Sequence, residues 1–238
     1  MTGTTPHGVT GEQATSRWVR GMFGRIAGRY DLLNHLLSFN LDKRWRARAV
    51  DRVAAILERP GARALDLCCG TGDVLFALEK RGNAITLGSD FCHPMLIQAR
   101  RKVVSPLFEG DALALPLVDN SLDLITVAFG FRNLANYGRG LEELLRVLKP
   151  GGTLAILEFS QPTNPAFAAL YGFFSTRVLP WIGGIISGSR EAYSYLPESI
   201  RKFPGAEKLA SEMRAAGFNA VEFDRMTGGT VALHLARK

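Results

Sequence analysis

Four aspartates, Asp66, Asp73, Asp90 and Asp111, fall at or just after the ends of successive apolar runs. The first two flank a small-residue turn, Cys68-Cys69-Gly70-Thr71-Gly72, in which glycines let backbone N–H groups approach a ligand closely. Asp66 can accept hydrogen bonds from a cationic amine or hold that turn. Asp90 is placed to receive both hydroxyls of a ribose, or to cap the helix that follows. Asp111 and Ala112 follow the third run, where an acid can hydrogen-bond an adenine amine. Asp73 opens a helix and repels phosphate there, and the dinucleotide fingerprint GxGxxG is missing. The ligand expected is nucleotide-like, with polar groups at both ends and no phosphate at this turn. Arg132 and Asn133 come directly after a fourth run ending at Ala128-Phe129, at the sheet edge where open α/β sheets do chemistry. Tyr30, Asp31 and Asn34 form a further compact polar group, read either as a helix cap or as part of a lid.

The elements that must position these residues follow from periodicity. Residues 17–57 read as helical: Arg17 to Ile26, an element starting at Tyr30-Asp31, and a stretch from Lys43 to Leu57 capped by Asp42. After Pro60-Gly61 strands and helices alternate. The strands are Arg63–Leu67, Ala84–Ser89, Val104–Glu109, Leu122–Phe129 and Thr153–Phe159. The intervening helices are Asp73–Lys80, Pro94–Lys102 and Gly138–Leu148, the last ended by Lys149-Pro150-Gly151-Gly152. Continuous apolar strands in such alternation predict a parallel sheet covered on both faces. Residues 160–203 break the rhythm with Phe167, Tyr171, Phe174, Trp181, Tyr193 and Tyr195 around Gly183-Gly184 and Gly188, and read as an apolar insertion over the sheet edge. A helix at Lys208–Ala216 and two strands, Phe218–Met226 and Thr230–Ala236, joined at Gly228-Gly229, close the chain with an antiparallel strand. Residues 1–16 are expected to be a flexible tail, and 17–238 a single domain.

The 238 residues are 47% hydrophobic, which suits one α/β domain with a full core. No run is long and apolar enough to span a bilayer, and the polar start lacks a signal peptide, so a cytoplasmic protein is expected. Three cysteines, two adjacent, with no CxxC pair, favour small buried thiols over a metal site. The net charge of +7 includes Arg44, Arg46, Arg48 and the run Arg100-Arg101-Lys102. No nucleic-acid module accompanies it, so the reading is a solvated basic face that meets an anionic membrane rather than nucleic acid.

The turn with Asp66, Gly70 and Gly72, followed by Asp90, resembles the S-adenosylmethionine site of class I methyltransferases. Further stretches resemble the quinone C-methyltransferases of menaquinone and ubiquinone biosynthesis, the UbiE/MenG/COQ5 family. They are the segment from Phe23 through Gly28-Arg29-Tyr30-Asp31-Leu32-Leu33-Asn34 to Trp45, Phe129-Gly130-Phe131-Arg132-Asn133-Leu134, Arg146 to Gly152 with Leu157 to Ser160, Tyr193-Ser194-Tyr195-Leu196-Pro197-Glu198-Ser199-Ile200, and Thr227 to His234. The likeness covers about residues 17–236. Members often carry Gly where this chain has Cys69 and Ser where it has Ala128.

The resemblance implies a class I, Rossmann-like fold with a seven-stranded, mostly parallel sheet and an antiparallel last strand. It implies S-adenosylmethionine as cofactor, held by Asp66, Gly70, Thr71, Gly72, Asp90, Asp111 and Ala112. Residues 17–57 become a helical lid and 160–203 the substrate-side insertion. The acceptor is a prenylated quinol, demethylmenaquinol first and a 2-polyprenyl-6-methoxybenzoquinol next, with Tyr30, Arg132 and Asn133 beside it. Arg132 would stabilise developing phenolate charge, while Tyr30, a water held with Asp31, or Asp73 would move the proton. Peripheral contact with the inner face of the cell membrane and a homodimer are within the same expectation. Two rivals are a methyltransferase of this fold for another small lipophilic acceptor, and a non-catalytic S-adenosylmethionine-binding protein.

Overall fold

The computed structural model describes residues 3–173, 177 and 190–238. Its centre is a seven-stranded sheet built from β1 (Arg63–Leu67), β2 (Ile85–Asp90), β3 (Leu107–Glu109), β4 (Leu122–Ala128), β5 (Leu148–Phe159), β6 (Asn219–Met226) and β7 (Val231–Arg237). The strand order is β3-β2-β1-β4-β5-β7-β6. The strands from β3 across to β5 pair in parallel, and β7 lies antiparallel between β5 and β6. This is the sheet expected from the sequence.

Strand periodicity places the core. Leu65, Ile125, Leu154 and Ile156 face one side, where they pack with Leu141, Leu144, Leu209 and Met213. Those partners come from α7 (Tyr137–Val147) and α10 (Ala206–Ala215). Ala64, Leu124, Ala155 and Leu157 alternate to the other side and meet Trp45, Val53, Leu57 and Leu78. Those four lie on or between α3 (Leu41–Arg52), α4 (Ala54–Leu57) and α5 (Asp73–Arg81). Chain order reverses between β1 and β4, so the carboxyl ends of those strands open a crevice at the switch point.

The amino-terminal region departs from expectation. α1 runs Glu12–Ile26, so the boundary expected at residue 16 falls inside a helix. Ahead of it, the Gly3 amide donates to the Ala135 carbonyl at 2.9 Å, and Thr4 is buried with its amide 3.1 Å from the Tyr137 hydroxyl. A 3-10 turn leads into α2 (Tyr30–Leu37). The helix expected from Lys43 to Leu57 breaks at Val53, and Asp42 lies inside α3 as a buried ion-pair partner rather than as its cap. β3 shortens to three residues after Pro106, which has no N–H to give the ladder. α6 is His93–Ala99, and β5 starts at Leu148, taking in Lys149-Pro150-Gly151-Gly152. In the insertion, α8 spans Pro165–Phe173 and α9 spans Arg190–Lys202. Phe174, Trp181, Gly183, Gly184 and Gly188 lie outside the described residues.

Candidate active site

β1 delivers the chain into a turn that needs left-handed backbone at Cys68 (φ 55°), Gly70 (φ 55°) and Gly72 (φ 87°). Glycine adopts this freely, whereas Cys68 does so against its own Cβ, a strain of the kind found at ligand sites. Asp90 ends β2 and ties the turn down: its Oδ2 accepts from the Gly70 amide at 2.9 Å and its Oδ1 from the Cys92 amide at 2.8 Å. Burial pushes this carboxyl up to about 6, against the pull of those amides. Gly70, Asp90, Asp111, Ala112 and Asn133 line a narrow slot of about 60 Å³, with Tyr30 across it. The Oδ1 of Asn133 is buried there and has no hydrogen-bond partner among the described residues.

The other expected cofactor residues sit behind the slot. Asp66 is buried and accepts from the Thr126 hydroxyl at 2.7 Å. Burial raises it to about 7 although that bond favours its ionised form. It holds β1 to β4 rather than facing the slot. Thr71 donates its hydroxyl to Asp31, and Gly72 packs where a Cβ would meet Ala99 and Val103.

A second cavity of about 480 Å³ adjoins the slot and shares Phe23, Tyr30 and Phe129 with it. Its walls are largely apolar and include Met22, Ile26, Trp45, Phe159 and Phe167; polar groups enter from Asp42, Arg46, Arg132, Tyr171 and Tyr195, among others. Arg132 is buried in an ion pair with Glu158, Nη1 to Oε1 at 2.9 Å. Its Nη1 also donates to the Phe129 carbonyl at 2.5 Å, and its guanidinium lies 5.2 Å from the Phe159 ring centre. Burial works against the arginine's charge, but Glu158, Tyr30 and Tyr195 together hold its pKa above the ordinary value. Burial likewise raises the Tyr30 hydroxyl, so it enters the site as a protonated phenol and a donor.

The structure therefore brings Tyr30 and Arg132 together at one cavity, places Asn133 on the slot wall, and takes Asp73 elsewhere. Asp73 accepts from Lys102 Nζ at 2.6 Å and from Arg46 Nη1 at 2.8 Å, and lines neither cavity. With both oxygens held by cations and no access to the cavity, it is not positioned as a base. Lys102 also binds Asp31 at 2.5 Å, so this ion-pair cluster joins α2 and α3 to the start of α5. Sequence reasoning missed Arg46, Lys102 and Glu158 as site residues. Glu158 stands in the sequence as a charge inside an apolar strand, where an unpaired acid is not tolerated, within a stretch that carries the family resemblance but with no role attached to it. Nothing in the spacing of Arg46 or Lys102 names its partners.

The sequence profile described as the ubiE/COQ5 methyltransferase family matches residues 10–238. A Thermus thermophilus protein named demethylmenaquinone methyltransferase is 50% identical over 220 residues, covering 90% of this chain and 98% of that one. A Deinococcus radiodurans protein of the same name is 43% identical and is covered end to end, as is this chain. Among solved structures, a Thermotoga maritima S-adenosylmethionine-dependent methyltransferase, described as a possible histamine N-methyltransferase, superposes with a TM-score of 0.64 at 20% identity. That match covers 92% of this chain and 98% of the other, and shows the shared fold.

Proposed function

We propose that this chain, which belongs to the ubiE/COQ5 methyltransferase family, is an S-adenosylmethionine-dependent C-methyltransferase that converts demethylmenaquinol to menaquinol. The observation that carries the reading is the pair of joined cavities. One is a slot with the buried carboxylate of Asp90 and the unpartnered amide oxygen of Asn133 in an otherwise largely apolar lining, the other an apolar chamber with a buried arginine, and Tyr30 and Phe129 belong to both. The relatives at 43–50% identity favour the naphthoquinol ring over a benzoquinol.

The slot's donor set fits the cofactor. Asp90 has lone pairs left for two ribose hydroxyls, the orphaned Asn133 Oδ1 offers an acceptor, and Asp111 with Ala112 stands where an adenine edge would lie. Among the described residues no lysine or arginine lines the slot. The bound cofactor supplies an electrophilic methyl group. The quinol hydroxyl, deprotonated, makes its ring carbon nucleophilic. Held in the slot, the cofactor would give its methyl to that carbon and leave as the neutral thioether, and the displaced ring proton would pass to solvent water. Arg132 faces the phenolate oxygen and stabilises its charge in a chamber of low dielectric. Tyr30 donates from the seam between the cavities and orients the ring, while Phe23, Phe129 and Phe159 exclude water.

Residues 17–57 act as the lid, with Phe23 and Tyr30 forming one wall of the slot. The apolar chamber takes the head of the prenyl tail, and the basic surface meets the membrane that holds the rest. Among the described residues no helix is long and apolar enough to cross a bilayer.

The deciding experiment supplies methyl-labelled S-adenosylmethionine and reduced demethylmenaquinone to the purified protein. Label on the quinone ring is expected. Cofactor binding without ring label would overturn the assignment.

A further inference from the structure

Glu158 has no role in the expected machinery, yet it is among the most enclosed charges in the molecule, 1% exposed near the carboxyl end of β5. Its Oε1 accepts from Arg132 Nη1 at 2.9 Å and from the Phe159 amide at 2.8 Å. Its Oε2 accepts from the Arg132 backbone amide at 3.2 Å. One carboxylate thus grips both the head and the root of the same arginine. Phe129 O takes a further bond from Nη1, and Ser199 Oγ stands 3.4 Å from Nε. The two N–H groups of Nη2 have no partner among the described residues, and Arg132 lines the apolar chamber.

This asymmetry has a physical consequence. A guanidinium alone in an apolar cavity swings toward any water or carbonyl it can reach, because an unpaired buried charge is costly. A carboxylate on a central strand removes that freedom without entering the chamber. Glu158 and the Phe129 carbonyl take up Nη1 and Ser199 takes Nε, which leaves Nη2 for a ligand of the chamber that Arg132 lines. The strand is rigid, since Glu158 is in register with Ala232 on β7 while its neighbour Leu157 bonds across to the Phe129 amide at 2.8 Å.

We infer that Glu158 is a positioning residue for methyl transfer: it acts through Arg132, fixing the guanidinium so that Nη2 meets the phenolate oxygen of the acceptor. The inference rests on the proposed quinol reading, and wild-type ring labelling tests that reading separately. Because Glu158 touches neither acceptor nor cofactor, its removal leaves cofactor affinity in place and misaligns the donor.

The test is a double-mutant cycle on Glu158→Gln and Arg132→Ala, read as kcat/KM for demethylmenaquinol, kcat, cofactor Kd and melting temperature. Glu158→Gln alone is expected to lower kcat/KM by about 10-fold or more, with cofactor Kd within about 3-fold of wild type. In the Arg132→Ala background the same change is expected to cost less than about 2-fold, because the group it positions is gone. Equal losses in both backgrounds, or normal turnover in Glu158→Gln, would overturn the inference. Should Glu158→Gln fail to fold, Glu158→Asp keeps the charge but pulls it back by one methylene. Under a positioning role its kcat falls; if it turns over as wild type, the placement argument is wrong.

Discussion

Replacing Asp90 by alanine is the sharpest probe of the slot. The carboxylate holds two backbone amides, from Gly70 and Cys92, and each oxygen keeps a lone pair for a ribose hydroxyl. A hydrogen bond to a charged group contributes about 1.5–3 kcal/mol. Two of them make about 3–6 kcal/mol, so Asp90→Ala should weaken S-adenosylmethionine binding by about 100-fold or more. The free protein loses its two amide anchors as well, which costs about 1–3 kcal/mol of stability, and melting curves separate that from the ligand effect. Wild-type binding has its own pH signature. With the carboxyl at about 6, only about a tenth is ionised at pH 5, so the cofactor Kd should rise about 10-fold between pH 7 and pH 5. Asp90→Ala should be flat across that window. Isothermal titration calorimetry at pH 5, 6 and 7 on both proteins reads all of this. An alanine variant within about 5-fold of wild type at pH 7, with a normal melting temperature, would refute the ribose assignment.

Other predictions address the frame around the slot. Asp66 titrates at about 7 folded against 3.8 for a free carboxyl, so its contribution to stability is full below pH 4, declines as pH rises to about 7 and is lost above. Asp66→Asn should therefore gain on wild type, by up to about 3–4 kcal/mol, as pH rises from 4 to 8 in urea unfolding; a pH-independent difference would contradict its burial as an acid. A Cβ at residue 130 would overlap the Cβ of Cys68, so Gly130→Ala should cost about 1–3 kcal/mol by calorimetry. Adding Cys68→Gly, which suits the positive φ at that turn, should recover most of that loss. Asp31→Asn breaks the half-exposed link from α2 to Lys102 and weakens that to Thr71. It should speed cofactor dissociation a few-fold at low salt, an effect worth less than about 1 kcal/mol and smaller at 0.5 M salt in stopped flow. No change in off-rate would remove α2 from the role of lid.

Local pattern carried much of this protein's architecture. The apolar strands announce themselves because burial on both faces leaves no polar position to interrupt them, and Asp90 is visible because it closes one such run before a Pro-bearing helix start. The glycine turn is legible for a similar reason: close approach and positive φ restrict the residue types that fit. Pairing between distant side chains left no such trace. Thr4 comes from a Gly- and Thr-rich start that reads as tail, yet it is buried against Tyr137, whose hydroxyl donates to the Arg132 carbonyl at 2.8 Å. Asp73 at a helix start reads as a candidate base, but Lys102 and Arg46 occupy its two oxygens. Glu158 is 26 residues from Arg132 in sequence, and only the adjacency of β4 and β5 brings a strand-end acid beneath an arginine that follows the neighbouring strand. Periodicity and turn chemistry are written in neighbouring residues, so the sequence by itself determined the sheet, the turn and the acid that serves it. Which charges neutralise one another depends on strand order and helix packing, and so the tertiary structure alone decided that Asp73 is tied down by Lys102 and Arg46 and that Arg132 is held by Glu158.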